Sequence, residues 1–128
     1  MASMTDYLED NLRDHVLRGI AYTSPAAVFL RLFTTATTDA GGGTEVTGGS
    51  YTGKVVAFAA GSAGSGAADN SAAIDFTNMP AVTVTHAAIY DAAVAGNMLL
   101  HAPLSSPKTV GAGDTLSFAV GDIDVIFG

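Results

Sequence analysis

Ala81-Val82-Thr83-Val84-Thr85-His86-Ala87-Ala88-Ile89-Tyr90 is the most strand-like segment of this chain, and its neighbours follow from it. Val82, Val84, His86, Ala88 and Tyr90 alternate with Ala81, Thr83, Thr85, Ala87 and Ile89, the two-residue period of a pleated strand rich in β-branched residues. Asp91–Asn97 holds turn chemistry, and Met98–Leu104 returns as the second arm of a hairpin.

The same alternation of short apolar runs and Gly-rich breaks extends in both directions. Upstream, residues 26–34 form a strand interrupted only by Arg31, a pattern expected of a strand covered on both faces. The polar stretch 35–50 carries Gly41-Gly42-Gly43 and Gly48-Gly49 and reads as a loop. Tyr51–Phe58 reads as a strand, 61–70 (GSAGSGAADN) as a loop, and Ala73–Phe76 as a short strand ended by Asn78-Met79-Pro80. Downstream, Ser105–Asp114 is loop chemistry, and Thr115–Val120 and Ile123–Phe127 are strands with alternate apolar residues. About seven short strands separated by such turns predict an antiparallel β-sandwich or barrel in a mainly β chain.

One helix precedes the strands. Met4, Tyr7, Leu8, Leu12 and Val16 fall on one helical face over residues 4–18. Ser3 or Thr5 can cap it, Asp6, Glu9 and Asp10 suit the positive end of the macrodipole, and Gly19 suits a left-handed stop. The helix covers the body, docks a partner, or does both. The expected organisation is one domain over 1–128, with a helical 1–20 segment and a β-rich body over 26–128.

Composition supports that reading and narrows the function. The chain has 128 residues, no Cys and no Trp, which excludes disulfide scaffolds and zinc ribbons. Ala, Gly, Ser and Thr make up nearly half of it. Twelve acids oppose five Lys and Arg, and residues 32–128 hold only two of the bases, Lys54 and Lys108. A surface of that sign repels DNA, so no nucleic-acid partner is expected. No apolar run reaches the 18 residues of a membrane span. The N-terminus lacks the basic and apolar regions of a signal peptide, so none is expected.

No segment carries a catalytic signature. Gly48-Gly49-Ser50-Tyr51-Thr52-Gly53-Lys54-Val55 has the glycines and lysine of a phosphate loop, but Val55 stands where Ser or Thr is needed. It also leads into a strand rather than a helix, so a turn is the better reading. His86 and His101 could meet across the hairpin, as a polar pair or as separately solvated rings, without a third metal ligand. Asp114, Asp122 and Asp124 match no calcium-loop spacing. No Gly-x-Ser-x-Gly elbow is present.

Several segments, taken in order, carry a resemblance. They are Tyr7-Leu8-Glu9, His15-Val16, Tyr22-Thr23-Ser24-Pro25, Leu32-Phe33-Thr34-Thr35-Ala36 and Gly41-Gly42-Gly43-Thr44-Glu45-Val46. Val84-Thr85-His86, Ile89-Tyr90-Asp91-Ala92, Gly96-Asn97, Pro107-Lys108-Thr109-Val110 and Ala112-Gly113-Asp114-Thr115-Leu116 follow. Together they resemble a family of short tailed-bacteriophage virion proteins, whose members are described as tail fibre, minor tail or capsid decoration (cement) proteins. The family pattern has an aromatic, often Trp, before the Val-Thr-His segment, where this chain has Met79-Pro80-Ala81-Val82-Thr83.

The resemblance implies a structural protein, not an enzyme, with no cofactor and no membrane partner. A compact acidic sandwich without a stalk or repeat suggests capsid decoration: binding the head exterior and bridging major capsid protein subunits, as a dimer or trimer. The alternative is a small tail, baseplate or fibre protein acting in adsorption or tail assembly. The expected interface or supporting residues are Tyr7, Leu8 and Leu12 on the helix and Gly41, Gly42, Gly43, Thr44 and Glu45 in the first long loop.

Overall fold

The computed structural model describes residues 3–127. Ten strands and one helix follow in the order β1 (Ser3–Met4), α1 (Asp6–Leu17), β2 (Val28–Phe33), β3 (Lys54–Val56), β4 (Phe58–Ala60), β5 (Ala67–Asn70), β6 (Ile74–Phe76), β7 (Val82–Tyr90), β8 (Met98–Val110), β9 (Leu116–Phe118) and β10 (Asp124–Ile126). They form three antiparallel sheets, ordered β1-β8-β7-β2-β3, β10-β5-β4 and β6-β9. The large sheet is open at both ends, so the barrel alternative is set aside.

The main core joins the sheets. Leu30 and Leu32 of β2, Val84 and Ile89 of β7 and Leu100 of β8 pack with Ile74, Phe76, Leu116, Phe118 and Val125 from the smaller sheets. The opposite face of the large sheet carries a second cluster, Phe33, Ala88, Tyr90 and Met98. Residues 28–33 are thus covered on both sides, as their nearly unbroken apolar run predicts, and Arg31 is buried within them.

The hairpin forms as expected, with two departures. First, β7 changes face midway. Val82 and Val84 pack with the main core, then Ala87 and Ile89 take over, and Ala88 and Tyr90 join the other cluster. A register shift between Val84 and His86 makes the change: Val84 pairs with Lys108 and His86 with Pro103, so β8 spends extra residues opposite Thr85. Second, β8 runs on to Val110 through a segment that reads as loop. Beyond His101, which pairs with Ser3, no strand among the described residues pairs with its outer edge. The irregularity and the two prolines at 103 and 107, which have no amide hydrogen to offer, suit such an edge.

The expected loop 61–70 also needs correction, since Ala67–Asn70 is the central strand of the second sheet. Ala, Asp and Asn are poor strand formers. Asn70, the last residue of the strand, ties it to partners distant in sequence. Buried at 1% exposure, it donates through Nδ2 to the Ala72 and Ala119 carbonyls and accepts at Oδ1 from the Ile123 amide.

The helix starts at Asp6, later than the apolar spacing suggests, because Ser3–Met4 pairs with β8. Thr5 is the cap. Its hydroxyl donates to the Met98 carbonyl at 2.7 Å, and its own amide donates to the Leu99 carbonyl at 2.9 Å. Gly19, at φ +67°, follows the C-terminal turn as predicted. Only Leu8 of the stripe is buried, while Val16 and Leu17 are 72% and 77% exposed. The first half of α1 docks, and the second half presents apolar side chains to solvent.

Candidate functional site

The first long loop is anchored by a buried charge. Arg31 Nη2 donates to Glu45 Oε1 at 2.6 Å and Nε to Oε2 at 2.8 Å. Nη1 donates to the Ala95 carbonyl at 2.6 Å, and the guanidinium lies 3.7 Å from the Tyr90 ring centroid. Tyr51 donates its hydroxyl hydrogen to Glu45 Oε2 and accepts from the Leu32 amide. This network joins β2, the loop, the β7–β8 turn and the approach to β3. The Glu45 hydrogen bond holds the Arg31 pKa above its usual value, and burial pushes the Tyr51 and Tyr90 phenols up.

A second fastening lies beside it. Thr37 Oγ1 bonds His101 Nδ1 at 2.8 Å, and His101 Nε2 bonds Asp39 Oδ1 at 2.8 Å. This hydroxyl–imidazole–carboxylate chain escapes sequence reasoning because its members lie 64 and 62 positions apart. Thr37 is buried at 9% exposure, which suits a latch between loop and strand better than an accessible nucleophile. His86 is separate: it pairs with Pro103 and bonds the Thr85 hydroxyl, so the two histidines do not face each other directly.

The expected interface residues divide by position. Leu8 is buried, Leu12 is half-buried, and Tyr7 is exposed. Gly42 donates its amide to the Thr38 hydroxyl, and Thr44 donates to Thr35. Gly43 has φ +110° and lies against the Ala36 carbonyl and the Phe33 ring, a place for glycine. Glu45 is committed to Arg31, while Gly41 stands at the surface.

Among the described residues, two of the surface concavities bear on the site. One of about 440 Å³ lies between the sheets, with Ala87, Leu104 and Phe118 among its walls and Lys108, Asp122 and Asp124 beside them. The other, of about 270 Å³, is walled by Thr5, Asp6 and Tyr7 at the start of α1, by residues 39–41, and by residues 96–98, with Tyr90 also lining it. Tyr7 and Gly41, from two separate segments of the expected interface, meet here.

The remaining motifs resolve locally. Gly48 and Gly49 take positive φ in a turn, and Lys54 opens β3 opposite Leu30, as a turn entering a strand would have it. Asp114 and Asp122 accept the amides of Gly111 and Ala119, while Asp124 sits in β10 opposite Asp69. Among the described residues, no three His, Asp or Glu side chains gather as a metal site. No helix among them is long and apolar enough to cross a membrane.

A small β-sandwich with a latched loop, a half-docked helix and two shallow concavities has the build of a structural or binding module. A sequence model of the family described as Podophage GP4 fiber I protein gp80 matches residues 3–126, and the chain belongs to that family. It is therefore a virion protein of the short-tailed-phage type and a fibre-type structural protein, from a family that is not one of enzymes. No curated protein matches it.

Proposed function

We propose that this chain is a fibre component of the phage tail, acting in host adsorption or tail assembly by binding rather than by catalysis. The observation that carries the reading is the match of residues 3–126 to a family described as a fibre protein. Capsid decoration, the role suggested by a compact acidic sandwich, has less support: nothing in the fold points to the head rather than the tail. An exposed concavity whose walls are held by hydrogen bonds also suits a binding role.

We further infer that copies associate through the outer end of α1. Val16, Leu17 and Ile20 are exposed there, beside Arg13 and Arg18, whose charges are met within the same segment by Asp10 and Asp14. Pairing of two such ends covers these apolar side chains without placing an unpaired charge in the contact, as a self-complementary two-fold interface allows.

Cryo-electron microscopy of the intact virion, with a quantified protein band, tests the location. Density confined to the tail with few copies supports the fibre reading. Density repeated over the head, with copies comparable to the major capsid protein, overturns it in favour of decoration.

A further inference from the structure

We propose that the cavity at the start of α1 is a saccharide site that takes one neutral sugar ring, between Tyr7, Asp6, Asp39, Asn97 and Tyr90. The adsorption reading above supplies its biological setting and is the reading on which this inference rests. The cavity itself stands on its geometry.

Its walls are held independently of any ligand. The Asp6 amide donates to the Asp39 carbonyl at 2.9 Å, joining helix start to loop. Thr5 fastens the helix start to Met98 and Leu99. Asp39 Oδ1 is held by His101, and Asn97 is held through its amide and Nδ2 by the Asp91 carboxylate. Such a cavity needs little ordering on binding.

The groups left over are the ones a sugar uses. Among the described residues, the Asp6 carboxylate, Asp39 Oδ2, Asn97 Oδ1 and the Tyr90 hydroxyl have no hydrogen-bond partner. Tyr90 is the telling one. It is only 8% exposed, yet no polar side-chain atom in the described structure is both sealed from solvent and unpartnered. Its free hydroxyl is therefore not sealed from solvent, and Tyr90 is one of the residues that line the cavity. Tyr7, 39% exposed, adds an aromatic surface for the C–H face of a ring.

The chemistry selects among ligand classes. Two carboxylates repel an anion. An ammonium group is attracted by the same carboxylates, so butylamine is the competing ligand against which a sugar must be measured. A sugar ring carries hydroxyl donors around its rim, and hydrogen bonds to carboxylates are the stronger kind. The volume of about 270 Å³ lies just below the range of about 300–1,000 Å³ for drug-sized ligands, the scale of a single ring. Affinity is expected near about 1 mM, with repetition of copies along a fibre supplying avidity.

The test is a titration of the isotope-labelled protein, followed by amide NMR, with methyl glycosides of glucose, galactose, mannose, rhamnose and N-acetylglucosamine. Glycerol and butylamine serve as controls, all up to about 50 mM. At least one glycoside should give saturable shifts at Tyr7, Ala40, Gly41, Gly96 and Asn97. Asp6→Asn and Tyr90→Phe, both nearly isosteric, should weaken it about tenfold while the rest of the spectrum stays folded. The site is rejected if no glycoside moves those amides, or if glycerol or butylamine moves them as strongly. Phage adsorption in the presence of the active glycoside tests the biological setting separately. Binding in the cavity with adsorption unaffected keeps the site and rejects the adsorption reading.

Discussion

Arg31 and Glu45 meet in a two-pronged ion pair, at 2.6 and 2.8 Å, across a bridge that also pairs Phe33 with Glu45. The pair does more than neutralise a buried charge. Its remaining donor reaches Ala95 in the β7–β8 turn, and its acceptor also takes the Tyr51 hydroxyl. One charged residue in an apolar strand thereby sets the position of the loop that reaches the cavity at the start of α1.

Removing one partner should therefore cost more than removing both. Arg31→Met leaves the Glu45 carboxylate, only 24% exposed, without its cation and should destabilise by about 3 kcal/mol. Arg31→Met with Glu45→Leu should recover at least about 1 kcal/mol of that loss. Urea unfolding of the single and double variants gives the comparison. Additive losses would mean that the pair is not coupled as its geometry requires.

Tyr51 makes stability sensitive to alkali. Burial holds its folded pKa well above the ordinary 10.0, so above that pH the unfolded chain releases a proton that the folded chain keeps. This contribution is whole below pH 10.0 and diminishes as pH rises beyond it. The expected measurement is a fall in the urea midpoint between about pH 9.5 and 11, less steep in Tyr51→Phe. An equal slope in the variant would assign the effect to other groups.

The parts of this arrangement differed in how plainly the sequence displayed them. The β7–β8 hairpin and the Gly19 stop rest on local chemistry and could be read directly, and the cap could be narrowed to Ser3 or Thr5, of which the structure uses Thr5. β5 could not, because its strand depends on the buried Asn70 amide and its partners as far away as Ala119. The change of face in β7 depends on extra residues in β8, invisible in the alternation of β7 alone. Arg31 gave a hint as the lone charge in an apolar run, but nothing local named Glu45. The latch was hidden altogether, since Thr37 and His101 come together only when the loop lies over β8.

That latch gives a prediction in exchange rather than in global stability alone. His101→Ala removes the bonds to Thr37 and Asp39 and should cost about 1–3 kcal/mol. Hydrogen exchange should rise most at the amides of Asp6, Gly42 and Thr44, which depend on the placement of the loop. Uniform acceleration across β2 and β7 would instead describe general destabilisation and remove the latch as a distinct unit.

Gly43 tests the backbone of the same loop. A Cβ there would come within 3.1 Å of the Ala36 carbonyl oxygen at φ +110°, a conformation that L side chains rarely adopt. Gly43→Ala should destabilise by about 1–3 kcal/mol, whereas an alanine in place of Gly42 would meet only the movable Thr38 side chain. Thermal unfolding of the two variants orders them. Equal losses would show that the backbone at 43 relaxes freely.

The helix separates support from association. Leu8→Ala deletes buried atoms and should cost about 2–5 kcal/mol. Leu17→Ser and Val16→Ser change side chains that are 77% and 72% exposed and should leave monomer stability within about 0.5 kcal/mol. If copies pair through this end of α1, the parent chain should sediment as a dimer or larger species at about 100 μM, and Leu17→Ser should shift it toward monomer. Arg18→Glu should do the same, since it replaces the Arg18–Asp14 ion pair with two like charges and leaves this end of α1 acidic in both copies. A parent chain that is monomeric at that concentration, or variants with unchanged association, would remove the helix end as a self-interface and leave its apolar surface to another virion protein.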